Sequence, residues 1–159
     1  MLGIQGKLTK VDTTNVTASA VRGELREHVH ETYGYQIYRL VFNNPGGALA
    51  ANVFYKFGAT SSLNIVAATD NTPTLNVAGL LQTALPDQHY GWALVYGDGL
   101  ATADAAISDA APLTIESSAT AVAGAVDDTA VATLEHTLVG VARAAPTVAG
   151  TFRMFVNVL

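Results

Sequence analysis

The chain contains no cysteine, which excludes disulfides and thiolate metal sites. Charge is scarce as well: Asp, Glu, Lys and Arg make up 13% of the 159 residues, about half the usual share of a soluble domain. Aromatic residues contribute only 8%. No segment approaches the ~18 uninterrupted apolar residues that a membrane-spanning helix needs. The opening MLGIQGKLTK has no basic stretch followed by an apolar run, so no secretory signal is expected there. Without such a signal, the glycosylation pattern Asn15-Val16-Thr17 reads as chance. A basic patch is missing too. Residues 1–43 carry five basic and four acidic groups, whereas residues 44–159 carry three basic groups (Lys56, Arg143, Arg153) and nine acidic ones. An acidic body of this kind points away from nucleic-acid binding.

What remains is a chain 50% hydrophobic, with much of that from alanine, and otherwise rich in Thr, Ser and Asn. A surface built from such residues has few charges to desolvate, so neighbouring subunits can cover it at low cost. The length fits one domain, or one domain with an arm.

Turn chemistry divides the chain into short strands. Residues 35–42 (YQIYRLVF) are β-branched and aromatic and stop at Asn43-Asn44-Pro45-Gly46-Gly47. Further strands are expected at 51–57, 63–68, 75–84 and 91–96, the last closed by Gly97-Asp98-Gly99. Three more are expected at 112–115, 138–144 and 151–158, with a loop over 101–111 and a turn at Asp127-Asp128. Residues 1–19 read as an extended arm that a partner would fix. In 20–32, Val21, Leu25 and Val29 fall at i, i+4 and i+8, and Glu24 precedes His28 by four, so the spacing favours a short helix capped by Ser19 over a strand. The expected fold is all-β: a small barrel-like body over 33–159 with an N-terminal contact segment over 1–32.

The body contains an internal repeat. Ala78-Gly79-Leu80-Leu81-Gln82-Thr83-Ala84 aligns with Val139-Gly140-Val141-Ala142-Arg143-Ala144-Ala145 at an offset of 61. Each segment then meets a proline loop (Pro86, Pro146) and a glycine that opens a closing strand, Gly91 and Gly150, at an offset of 59. Upstream, Gly47-Ala48-Leu49-Ala50-Ala51 faces Asp104-Ala105-Ala106-Ile107-Ser108 at an offset near 58. A glycine inside each first strand allows a bulge or a close backbone approach. Neither half can cover its apolar face alone, so the two are expected to close on each other as one barrel.

Catalytic and ligand motifs are sparse. His28 and His30 share a face only in a strand, and no local spacing joins them to Glu24 or His89 as a metal set. No Gly-x-Ser-x-Gly elbow and no phosphate-binding Gly-x-x-x-x-Gly-Lys loop occurs. Asp98, Asp104 and Asp109 lack the spacing of a calcium loop, and Glu116 and Glu135 lack an acid–base partner nearby in sequence. The chain therefore reads as a non-enzyme that needs no cofactor. Aromatic residues cluster at 33–57 and around Tyr90, Trp92 and Tyr96 with only Arg39 and Lys56 interleaved, which suits core packing and subunit contact better than base stacking.

The order of these features resembles the small decoration, or cement, proteins on the heads of tailed bacteriophages. The resemblance is carried by the aromatic strand Tyr35-Gln36-Ile37-Tyr38-Arg39-Leu40-Val41 and by Gly47-Ala48-Leu49-Ala50-Ala51 ahead of Val53-Phe54-Tyr55. It continues through Tyr90-Gly91-Trp92, Val139-Gly140-Val141-Ala142 and Gly150-Thr151-Phe152-Arg153-Met154-Phe155-Val156, and covers residues 33–159. It implies a β-barrel or β-tulip body, a homotrimer on the outer capsid surface, a major capsid protein as partner, and no cofactor, nucleic acid or membrane. Another virion part, such as a head-fibre base or tail component, is the alternative role, and a small-ligand-binding barrel is a third. Under the first reading, the candidate contact residues in the arm are Leu2, Ile4, Leu8, Val11, Val16, Val21 and Leu25. In the body they are Tyr33, Tyr35, Pro45, Tyr90, Trp92 and Pro146, with the loops at 43–47, 85–90 and 145–150 as contact regions.

Overall fold

β-Branched and aromatic side chains suit a pleated, half-buried surface, and the YQIYRLVF run forms a strand for that reason. The computed structural model describes residues 23–43, 46–57, 64–67, 77–115, 125–127 and 138–158. The run lies in β2 (Gly34–Asn43), which follows β1 (Leu25–His30). Next come β3 (Val53–Phe57), β4 (Asn64–Ala67), β5 (Val77–Leu81) and β6 (Tyr90–Ala103). The chain closes with β7 (Pro112–Ile115), β8 (Val126–Asp127), β9 (Leu138–Ala142) and β10 (Gly150–Asn157). The described residues contain no helix, and the fold is all-β.

Three local expectations need correction. The helix expected over 20–32 is replaced, in its described part, by β1, which pairs antiparallel with β2 from Leu25↔Arg39 to His30↔Gly34. Leu25 and Val29 are four apart, which places them on one face of a strand as well as of a helix, and pairing with β2 decides between the two. The strand expected to end at Gly97-Asp98-Gly99 instead runs on to Ala103. The two glycines serve close packing there. A side chain at Gly97 would strike the Tyr35 carbonyl, and one at Gly99 would strike Leu94. Finally, Asp127 belongs to a two-residue strand held by pairing to β6 and β7.

The strands form two closed rings that share β6. One ring runs β2-β4-β3-β5-β6 and closes through β2–β6; the other runs β6-β10-β9-β7-β8 and closes through β6–β8. The first half of β6 serves the first ring, where Phe42↔Tyr90 through Ile37↔Tyr96 are paired. Its second half serves the other, from Asn157↔Tyr96 to Gly150↔Ala103. Closure removes the unpaired edges that would otherwise invite aggregation. β1, attached only to β2, is the one strand outside the rings among the described residues.

The repeat is real, and its register is conserved. The parallel pair Asn43↔Ile65 recurs as Ala103↔Val126, and the antiparallel pair Leu80↔Leu94 recurs as Val141↔Phe155. The bulge between Tyr55 and Lys56 opposite β5 recurs between Leu113 and Thr114 opposite β9. The bridge between Leu49 and Leu85 recurs as the hydrogen bond from Ile107 N to Pro146 O. Even the two left-handed turn residues before β3 and β7, Asn52 (φ 61°) and Ala110 (φ 56°), coincide at an offset of 58. The structural equivalent of Gly91 is Phe152, however, so the offset of the closing strand is 61 and the Gly91–Gly150 alignment is two residues out of register. Each half also closes its own ring; the two do not combine into one barrel.

Two cores result. Val41, Leu49, Val53, Tyr55, Ala78, Leu81, Leu85 and Ala93 fill the first ring. The second core joins the inward residues of ring two, such as Leu113, Val139, Phe152 and Met154, to Tyr38, Phe54, Leu80 and Leu94 from the outer face of ring one. The second ring therefore lies against the first and covers it. Hydrogen bonds lock the joint: Gln82 Nε2 donates to Leu100 O at 3.0 Å, Leu100 N to Gln82 Oε1 at 2.9 Å, and Val158 N to Val95 O at 2.9 Å.

Candidate interaction surface

Alternation along a strand sends every second side chain outward, and on β10 the outward positions Thr151, Arg153 and Asn157 are polar while Phe155 is not. One face departs from the rule. Val29 on β1 sits opposite Tyr35 on β2. The Tyr35 ring meets Tyr96 of β6 edge-on, with centroids 6.3 Å apart, and Tyr96 meets Phe155 of β10 at 5.1 Å. Phe155 is opposite Val141 of β9, and Val141 is opposite Pro112 of β7. An apolar stripe therefore crosses six strands. Val29 is 74% exposed, Leu138 55%, Tyr35 45% and Val141 36%. Exposed apolar residues scattered singly carry no meaning, but a contiguous patch marks an interaction site.

The stripe has charged borders. Arg143 lies over the Phe155 ring, 5.0 Å from its centroid, and its Nε donates to Asp98 at 3.1 Å. Arg153 donates to the other oxygen of Asp98 and lies over Tyr33. Two cations on one carboxylate leave an excess positive charge along this border, which runs from Tyr33 under Arg153 to Phe155 under Arg143. The β1 end carries Glu27, on the same exposed face as Leu25 and Val29, and Arg39 stands opposite Leu25 with its guanidinium held on the Val77 and Ala78 carbonyls. The Asp98 pairs are half-exposed on the arginine side and add little stability; their effect is to fix the arginines.

Of the residues expected at contacts, Leu2, Ile4, Leu8, Val11, Val16, Val21 and Pro45 lie outside the described residues. Leu25 and Tyr35 lie on the exposed sheet face that carries the stripe, and Tyr33 sits beside it under Arg153. Tyr90 and Trp92 lie elsewhere. Tyr90 packs on Phe42 with ring centroids 4.7 Å apart, and Trp92 packs against the second core under Arg26. Pro146 accepts the Ile107 bond, a role in closing the second ring. Leu138, Val141 and Phe155 were not expected at contacts; Val29 entered the sequence reading only through the helical spacing with Val21 and Leu25, and Tyr96 only through the aromatic cluster with Tyr90 and Trp92. The available signal was Phe155, an aromatic residue at the outward phase of an otherwise alternating strand.

His28 and His30 do share a neighbourhood, with ring centroids 6.0 Å apart, but His28 packs toward Tyr38 and His30 toward Tyr33. Among the described residues, no three His, Asp or Glu side chains gather as a metal site.

The fold has a solved counterpart. The crystal structure of the head fibre gp8.5 N base of bacteriophage phi29 superposes with a TM-score of 0.50 over 77% of this chain and 95% of that one, at 13% sequence identity. At that identity the likeness establishes a shared fold. No protein family matches the sequence, and no curated protein does.

Proposed function

We propose that the chain is a non-catalytic structural part of a bacteriophage virion, carried on the outside of the head as a homo-oligomer that bridges major capsid subunits. The observation that carries this reading is the apolar stripe on a closed double barrel whose fold matches a phage head-fibre base. Five of the six strands of the stripe belong to the closed rings and β1 is paired to one of them, so little ordering entropy opposes docking. A copy that touches several capsid subunits raises shell stability by multivalency, because releasing one subunit means breaking contacts to several. The N-terminal segment, including Leu2, Ile4, Leu8, Val11 and Val16, is the proposed hold on the shell. The loops at 43–47, 85–90 and 145–150 are proposed as further contacts.

A second virion role has specific support: the matching structure is the base of a head fibre, which favours a fibre anchor over a cement protein that coats every facet. Mass spectrometry and immunogold labelling of purified virions test both. The chain should co-purify in fixed ratio to the major capsid protein and label heads. Dense labelling over all facets favours decoration, and sparse labelling at projecting fibres favours the anchor. Absence from particles would overturn the virion reading.

A further inference from the structure

Val77, Leu80 and Leu94 are buried on the outer face of the first ring, where the second ring covers them. Their repeat equivalents, each 61 residues on, are Leu138, Val141 and Phe155. These stay apolar although no second ring covers them among the described residues: Leu138 and Val141 are exposed, and Phe155 is half-buried beneath Arg143 and beside Tyr96. Solvent alone would favour polar side chains at such places. The open face is thus the second edition of a face that, in its first edition, is covered by a barrel of this same chain.

We propose that this face binds a second copy of the chain, head to tail: the Leu138–Val141–Phe155 end of one stripe packs on the Leu25–Val29–Tyr35 end of the next. The inference deepens the self-association proposed above and rests on it. Three features of the stripe fit. β1 is the one strand outside the closed rings among the described residues, so it is the place where another chain can approach a sheet edge. Arg143 borders the Phe155 end and Glu27 stands between Leu25 and Val29 at the other, so a head-to-tail contact brings these two opposite charges together. Both ends lie on one continuous face, joined through Tyr35, Tyr96 and Phe155. Such a face, turned toward a threefold axis, offers one end to each neighbour, and a contact between unlike patches closes into a ring of three when successive copies are related by a rotation of one third of a turn.

Sedimentation velocity of the full chain and two variants tests the contact. Val141→Glu disables one end and Val29→Glu the other; both sites are exposed, and far-UV circular dichroism checks that the fold is kept. The wild type should sediment as a trimer and each variant as a monomer. A one-to-one mixture of the variants should form a dimer, because one intact end of each kind remains. Charge reversal gives a milder, independent arm: Glu27→Arg and Arg143→Glu should each weaken assembly about tenfold, and the double variant should recover it. A mixture that stays monomeric, or variants that remain trimeric beside a trimeric wild type, would overturn this contact while leaving self-association standing. A wild type monomeric up to about 100 µM would overturn both the contact and the proposed self-association, and the virion analysis would still decide the virion role.

Discussion

Leu80 and Val141 occupy the same place in the repeat and should respond to truncation to very different degrees. Leu80 is fully buried between its cross-strand partners Phe54 and Leu94, which are themselves fully buried, whereas Val141 remains 36% exposed. Leu80→Ala removes side-chain carbons from a site closed by ring one on one side and the second core on the other. Little collapse is possible there, so the cost should lie in the middle of the usual range for core leucines, about 3–4 kcal/mol. For a domain of this length each kcal/mol lowers Tm by about 2–4 °C, giving a fall of roughly 6–16 °C. Val141→Ala should cost about 0.5 kcal/mol. Urea unfolding, at protein concentrations low enough to keep the chain monomeric, reads both values. If Val141→Ala costs as much as Leu80→Ala, or if Leu80→Ala costs under about 1 kcal/mol, the covered face and the open face have been wrongly distinguished.

Other perturbations follow from the same geometry. Gly79 has φ +138°, and a Cβ there would lie 2.8 Å from the Leu94 carbonyl oxygen and 2.9 Å from the Ala93 Cβ. Its equivalent, Gly140, would strike the Phe155 carbonyl. Either glycine changed to alanine should destabilise by about 3 kcal/mol in the same unfolding assay, whereas Gly47→Ala, which meets nothing within 4 Å, should be nearly silent. Asn43 is fully buried and its Nδ2 donates toward the carbonyls of Gly47, Leu85 and Pro86. Asn43→Ala should cost about 2 kcal/mol and expose the 46–49 loop to limited proteolysis, because buried acceptors lose their donor. Burial pushes the Tyr38 and Tyr55 hydroxyls up to about 12, above the ordinary value of 10.0. A pKa raised on folding contributes stability that is present below pH 10 and lost as pH rises toward 12. The urea midpoint should therefore fall across that window, and Tyr55→Phe should fall less steeply.

Much of the fold was legible where local and tertiary preferences agree. The strands around Tyr35–Phe42, Val53–Phe57 and Thr151–Val156 were legible because alternation and turn residues bound them. The repeat was legible because Gly79 and Gly140 must both lack a side chain against the next strand's carbonyl. The second half of β6 was hidden because Gly97 and Gly99 read as a turn after the strand expected at 91–96, although here they relieve crowding where one strand passes from the first ring to the second. β8 was hidden because two residues carry no periodicity, and its pairing partners lie 11 or more residues away. β1 was misread because Leu25 and Val29 fit either period, and only pairing to β2 separates them. The stripe was partly legible. Leu25 and Tyr35 were named for their apolar character, but that Val141 is open while Leu80 is closed depends on which ring lies against which face, and no window of sequence holds that.

Calorimetry of phage heads lacking this chain, with and without added protein, tests the central claim most directly. The account predicts saturable binding, a higher head melting temperature, and weaker attachment when residues 1–19 are deleted from a body that still folds. A head that melts at the same temperature and sediments without bound protein at every concentration tried would contradict it.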